Sequence, residues 1–156
     1  KDTHAGAFAV TGGGLYLLLY CGGCSELPVR GAAAVSVGFV LSRALSGLAA
    51  AVFPGAREHG MLADFMKDSR RRLVAASMVF YMAVSAGAMI LLGGLCGAAA
   101  VLGAVLAFLY YRRMVFREFG GVTGDLAGYF LQLCELFMVL AAAVCHLAIS
   151  QTGGVL

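Results

Sequence analysis

Long apolar stretches separated by short polar segments run through the whole chain. A helix that crosses a bilayer core about 30 Å thick needs about 20 largely apolar residues. Five stretches approach or exceed that length, at about residues 5–24, 31–53, 73–92, 95–111 and 126–150. The pattern predicts an all-α, polytopic transmembrane helix bundle of about five spans, forming a single domain over residues 1–156.

The division between the third and fourth spans depends on one short signal. Only Gly93 and Gly94 separate them, and a glycine pair is typical of a tight turn. The fourth span is short, so a re-entrant segment is the alternative to a full crossing. Other clusters of small residues are Gly12–Gly14, the Gly93-x-x-x-Gly97 spacing and Ala98–Ala100, and they favour close helix packing.

The composition excludes an ordinary soluble domain. Hydrophobic residues make up 62% of the chain and charged residues 12%, whereas soluble domains carry about 25% charged residues. The start of the chain has no basic region followed by a cleavage site, so we expect no signal peptide. Membrane lipid is the expected surrounding and nucleic acid is not an expected partner, while homo-oligomerisation stays open.

The basic residues indicate the orientation of the bundle. With the N-terminus in the cytoplasm, nine of the eleven basic residues fall on cytoplasmic segments, as the positive-inside rule requires. These nine are Lys1, Arg57, Lys67, Arg70, Arg71, Arg72, Arg112, Arg113 and Arg117. We therefore expect a multi-pass protein of the cytoplasmic (inner) membrane whose active face is cytoplasmic.

Five cysteines lie in apolar stretches: Cys21, Cys24, Cys96, Cys134 and Cys145. The spacing of Cys21 and Cys24 is that of a redox or zinc pair. A structural zinc site needs four ligands, and no second pair is present in the sequence. The cysteines are therefore interpreted as small apolar residues within helices.

Two charges fall inside predicted spans and require a partner. Arg43 lies ten residues before the cytoplasmic end of its span, and Glu135 lies ten residues after Asp125 at the start of the last span. At a rise of 1.5 Å per residue, both lie about 15 Å below the same surface. Because an unpaired charge there is costly, we hypothesise that they pair or line one polar cavity; the alternative is that each is satisfied separately.

The segment Gly120–Asp125 directly precedes a predicted helix and is rich in glycine. Backbone N–H groups at a helix N-terminus favour phosphate, and an aspartate there can cap the helix or hold Mg²⁺. Acidic groups, basic groups and this helix start are all predicted on one face of the membrane. Enzymes that transfer phosphoryl groups use such groups to position the substrate and to neutralise its charge. A simple capped turn, with the arginines serving as topology anchors, is the alternative interpretation.

Two motifs carry a resemblance to a known family. Gly120–Asp125, followed by Gly128 and Glu135, resembles the C-terminal signature of the cobalamin synthase (adenosylcobinamide-GDP ribazoletransferase) family, Gly-Gly-x-Thr-Gly-Asp before a helix that carries a glutamate. The opening Lys1–Phe8 is similar to its Lys-Asp-Ser-Arg-Ile-Gly element, with departures at Thr3, His4 and Ala5. The departure at His4 puts the phosphate-contacting role of that position in doubt.

A second stretch, Met66–Arg70, is literally closer to that element but lies much nearer to Asp125 than the order of spans in the family requires. The family's acidic element, Asp-Gly-x-x-Asp-x-x-Asp-Gly, should precede Lys1 and is not in this chain. We therefore expect an N-terminally truncated sequence that is inactive alone.

The resemblance implies a phosphotransferase that joins α-ribazole or its 5′-phosphate to adenosylcobinamide-GDP and releases GMP, with Mg²⁺ as cofactor. By the same resemblance, Asp2 and Asp125 are the catalytic and metal-binding acids, and Arg43 and Glu135 support the cavity. The residues expected to bind substrate are Lys1, Thr3, His4, Arg57, Gly121, Thr123 and Gly124.

Two alternative functions stay open. Another membrane phosphotransferase, such as a CDP-alcohol type, would require its own acidic motif upstream. A transporter or structural subunit would use Arg43 and Glu135 along a substrate path, and inverted repeats would be expected for it. The only internal sequence similarity is that between Lys1–His4 and Lys67–Arg70.

Overall fold

The computed structural model describes residues 6–54 and 71–153, and every regular element in these ranges is helical. Helix α1 spans Ala7–Ser25, α2 spans Val29–Val52, α3 spans Arg71–Met114 and α4 spans Gly124–Gly153. A π-helical turn, Val115–Phe119, follows α3. The predicted all-α membrane bundle is confirmed as a fold class.

The predicted count of about five spans is wrong as a count of helices. In the described ranges, four helices are long and apolar enough to cross a membrane. The predicted and observed numbers differ because no loop separates the third and fourth predicted spans at Gly94. The two spans are continuous there and form the single element α3.

Helix α3 nevertheless folds back on itself at Gly94. That residue has φ 56° and ψ −127°, a non-helical conformation that a residue with a Cβ rarely adopts. A straight helix of 44 residues would extend about 66 Å. Instead, Arg71 at its start bonds the backbone of Phe53, and Phe108 near its end stacks on the Phe53 ring at 6.0 Å. Helix α3 therefore consists of two antiparallel arms, residues 71–93 and 95–114. The second arm runs back along the length of the first, to the end where the first begins.

Small residues allow the helices to approach closely. A Cβ at Gly103, on the second arm of α3, would lie 2.6 Å from the backbone oxygen of Phe137 on α4. A Cβ at Gly38 on α2 would lie 2.8 Å from the sulfur of Met138. Apolar helices gain little in lipid from burying leucine against leucine, so this close approach is what holds the bundle together.

Helix α1 is the least packed of the four. Gly23 is its only buried residue, against Val139 and Leu140 of α4. The cluster Gly12–Gly14 was expected to pack, but a Cβ at any of its positions would meet nothing within 4 Å. Large apolar side chains such as Leu18 are exposed along α1, a surface suited to lipid.

The bundle has two distinct ends. At the first, here called the Pro54 end, the end of α2 meets the start of α3 and the segment Gly120–Asp125. At the second, the Gly94 end, a Cβ on Gly93 would lie 2.8 Å from the Cβ of Ala34, near the start of α2. Most basic residues of the described ranges belong to the Pro54 end, namely Arg71, Arg72, Arg112, Arg113 and Arg117, while Arg30 lies near the Gly94 end. The basic residues of the described ranges are thus concentrated at one end of the bundle, as the sequence predicted.

Candidate functional site

Several predicted site residues lie outside the described part of the chain. These are Lys1, Asp2, Thr3, His4 and Arg57. The remaining ones fall into two groups, one in the segment Gly120–Asp125 at the Pro54 end and one formed by Arg43 and Glu135 between α2 and α4.

Gly120 turns the chain from the end of α3 towards α4. It has φ 67° and ψ 2°, the left-handed conformation that commonly terminates a helix and that glycine adopts without a steric penalty. The glycine at this position therefore has a backbone role.

Val122 anchors the glycine-rich segment to α2. Its backbone N–H donates to the carbonyl oxygen of Pro54 at 2.9 Å, and its side chain is buried. Gly121 is buried as well. The resemblance implies that the amide groups of Gly121 to Gly124 hold the nucleotide. The Val122 N–H of this segment already has an acceptor, so it is not free to bind a phosphate.

Thr123, rather than Asp125, caps α4. The N–H of Leu126 donates to Thr123 Oγ1 at 3.3 Å, and the N–H of Ala127 donates to the Thr123 carbonyl at 3.0 Å. A cap must precede the helix that it closes, whereas Asp125 is the second residue of α4. The interpretation of Asp125 as the cap is therefore wrong.

Asp125 is exposed in the first turn of α4, where the positive end of the helix dipole favours its carboxylate. Within residues 6–54 and 71–153, no three His, Cys, Asp or Glu side chains come together as a metal-binding group. Mg²⁺ commonly takes only one or two carboxylates and completes its shell with water and substrate phosphates. Asp125 fits such a partial ligand set as one exposed oxygen donor.

Arg71 closes the C-terminal end of α2. Its guanidinium donates to the carbonyl oxygens of Ala51 and Phe53, two of the acceptors that the last turn of a helix leaves unsatisfied. At least one arginine of the basic run thus has a structural role, while Arg112, Arg113 and Arg117 are exposed near the same end.

Arg43 and Glu135 form an ion pair between α2 and α4. Arg43 Nη1 lies 2.8 Å from Glu135 Oε1, so the pairing that equal depth suggested is present. The carboxylate side chain is only 12% exposed, whereas that of the arginine is 59% exposed. More than half of the Arg43 side chain is thus left uncovered by the described helices, and a charge at the predicted depth requires water or a polar group beside it.

Ser42 completes this polar group and was not singled out in the sequence. It is fully buried, and its hydroxyl lies 3.1 Å from Glu135 Oε1 and 3.0 Å from the Phe39 carbonyl oxygen. The only sequence signal was its position beside Arg43.

Comparison with known proteins places this geometry in context. Residues 1–143 match the protein-family model described as cobalamin-5-phosphate synthase. An adenosylcobinamide-GDP ribazoletransferase of Lachnoclostridium phytofermentans is 42% identical over 92% of this chain and 55% of its own length. One from Pseudomonas fluorescens is 32% identical over 92% of this chain and 58% of its own length. The chain thus spans little more than half the length of these relatives, and no solved structure matches it.

Proposed function

The chain belongs to the cobalamin-5-phosphate synthase family, and from that membership we propose that it carries part of the active site of an adenosylcobinamide-GDP ribazoletransferase. The proposed reaction joins α-ribazole or its 5′-phosphate to adenosylcobinamide-GDP and releases GMP. The names of the relatives support the substrates, and the four apolar helices support a site at a membrane.

The observation that carries the proposal is the meeting of three segments at the Pro54 end. The Val122–Pro54 hydrogen bond joins the glycine-rich segment to the end of α2, and Arg71 joins the start of α3 to the same place. Segments distant in sequence thus present an exposed acid, several arginines and a helix N-terminus together. Phosphoryl transfer depends largely on such positioning and charge neutralisation.

In the proposed reaction, a ribose hydroxyl attacks the phosphorus nearer the corrinoid. A new P–O bond forms, the bond to the bridging oxygen breaks, and that oxygen leaves with GMP. When bound, Mg²⁺ supplies charge neutralisation on the diphosphate. Asp125 and Asp2 are the proposed metal-binding acids, and Lys1, His4 and Arg57 are proposed to contact phosphate oxygens, with Thr3 beside them.

The N-terminus of α4 has a proposed part in holding the nucleotide. The backbone N–H groups of Gly124 and Asp125 lie in the first turn of α4, where they have no acceptor within the helix, so they are suited to donate hydrogen bonds to a phosphate oxygen. Thr123 and Gly121 flank this position. The Arg43–Glu135 pair is proposed to support the membrane-embedded side of the site, since the described helices leave more than half of the Arg43 side chain uncovered.

The experiment is an assay of GMP release in membranes that contain a full-length protein of which this chain is part. With Mg²⁺ and adenosylcobinamide-GDP present, we expect GMP to be released only when α-ribazole is added. Release that is independent of α-ribazole would indicate hydrolysis, and absence of release in both conditions would reject the proposed reaction.

A further inference from the structure

Two cysteines on different helices lie near the Gly94 end of the bundle. Cys96 lies just beyond the Gly94 turn and is 8% exposed, whereas Cys145 on α4 is half-buried. Both belong to the same apolar cluster, and both are free thiols in the structure.

The register of the helices places these residues opposite one another. The second arm of α3 and α4 are antiparallel, and Gly103 lies against Phe137 and Ala141 at very close range. Cys96 lies about two turns before Gly103, and Cys145 lies about one turn beyond Ala141 and about two turns beyond Phe137. This register places Cys96 and Cys145 at the same level of the interface between α3 and α4.

The pair lies at the end of the bundle away from the basic residues. From Gly124 to Cys145 the helix rises about 31 Å, which is the thickness of a bilayer core. Because most basic residues are at the Pro54 end, the positive-inside rule assigns the Gly94 end to the non-cytoplasmic side. Disulfides form and persist in such compartments, unlike in the cytoplasm.

We propose that Cys96 and Cys145 are joined by a disulfide that is introduced from the non-cytoplasmic side. The oxidant is the disulfide form of a thiol–disulfide oxidoreductase. Cys145, the more exposed thiol, attacks one sulfur of that disulfide as its thiolate and forms a mixed disulfide. Cys96 then attacks the Cys145 sulfur, so one S–S bond forms in this protein, one breaks in the oxidoreductase, and the latter leaves as a dithiol with both protons.

Such a bond ties the second arm of α3 to α4 at the end opposite the proposed active site. The loop that this disulfide would close, residues 96–145, includes the segment Gly120–Asp125. The disulfide would therefore restrict separation of the two helices that enter and leave that segment.

The other cysteines provide the background and the control. Cys21 and Cys24 are exposed on one helix and can complicate thiol counts, so both are replaced by serine in the parent protein. Cys134 is fully buried deeper in the same interface, adjacent to Glu135, and serves as the matched control.

The experiment counts disulfide-bonded cysteines in the protein taken from cells that have an extracytoplasmic disulfide oxidoreductase. Free thiols are blocked with N-ethylmaleimide in denaturant at harvest, disulfides are then reduced, and the released thiols are labelled with a PEG-maleimide that shifts the band on a gel. We expect two labels per chain in the parent and in its Cys134→Ser variant, and none after Cys96→Ser or Cys145→Ser.

An unlabelled parent would overturn the proposal, and so would labels that persist in either of the last two variants. Because the readout is covalent and is made on denatured protein, it does not depend on enzymatic activity. A negative result here leaves the ribazoletransferase proposal intact.

Discussion

At the residue scale, the two charges inside the membrane-spanning region satisfy each other. Arg43 and Glu135 could be matched from sequence because each lies at the same number of residues from one predicted surface. Their contact at 2.8 Å follows from that equal depth and from the packing of α2 against α4. The contribution of Ser42 could not be predicted, since serines in helices more often bond their own backbone, as Ser36 does here.

Removing either member of the pair should destabilise the protein. We expect Arg43→Ala and Glu135→Ala each to cost about 1–3 kcal/mol, because the remaining charge loses its partner at depth. The double variant should be more stable than additivity predicts, with a coupling of about 1–2 kcal/mol. Thermal unfolding in detergent measures all three.

The control is Arg30→Ala with Glu26→Ala, two exposed charges near the Gly94 end. Their effects should be small and additive. Strict additivity for Arg43 and Glu135 would show that the ion pair contributes no stability.

The cap of α4 illustrates what sequence patterns leave open. Both Thr123 and Asp125 are good capping residues, and only the exact start of the helix distinguishes them. That start is fixed by the Val122–Pro54 hydrogen bond, a tertiary contact that the sequence does not reveal.

Replacing Thr123 by alanine should lower stability by about 1 kcal/mol, because the Leu126 amide loses its acceptor. Thr123→Ser retains the hydroxyl and should behave almost like the parent in the same thermal assay. Equal stability of the alanine and serine variants would contradict the assignment of the cap.

At the element scale, the main feature is the reversal of α3 at Gly94. The glycine pair predicted the turn, whereas the absence of any loop between the arms explains why the helices number four rather than about five. The close approach at Gly97, where a Cβ would collide with the Met89 backbone oxygen, also requires glycine.

Gly94→Ala should cost about 1–3 kcal/mol, because alanine is strained at positive φ whatever the surrounding space. Gly87 is the matched control on the first arm. A Cβ there meets nothing within 4 Å, and alanine should stabilise the helix by about 0.5–1 kcal/mol. Opposite signs in thermal unfolding support the turn, and a neutral Gly94→Ala variant would contradict it.

At the scale of the whole molecule, charge and topology agree. The lengths of the apolar stretches predicted which helices cross the membrane. The positions of the basic residues along the sequence were enough to distinguish the two ends of the bundle. The facing of Cys96 and Cys145 could not be predicted in the same way, since it depends on the register that Gly103 sets between two helices.

Accessibility mapping tests the orientation. In a cysteine-free background, we expect Glu118→Cys and Asp2→Cys to react with a membrane-impermeant maleimide only from the cytoplasmic side. Glu26→Cys, near the Gly94 end, should react only from the opposite side. Glu118 lies at the same end of the bundle as Asp125. Labelling of Asp2→Cys and Glu118→Cys from different sides would therefore place Asp2 and Asp125, the two proposed metal-binding acids, on opposite faces of the membrane.

The most direct test of the account is α-ribazole-dependent GMP release by the Asp125→Asn variant of the full-length protein in membranes with Mg²⁺. Asparagine retains the shape and the polar first turn of α4 but removes the negative charge proposed to hold the metal. The account predicts a loss of at least about 100-fold in rate, corresponding to about 2.7 kcal/mol in the barrier. The thermal midpoint should fall only slightly, because the favourable interaction of this carboxylate with the helix dipole contributes about 0.3–1 kcal/mol. A variant that releases GMP at the parental rate would contradict the central claim that the Asp125 carboxylate belongs to the active site.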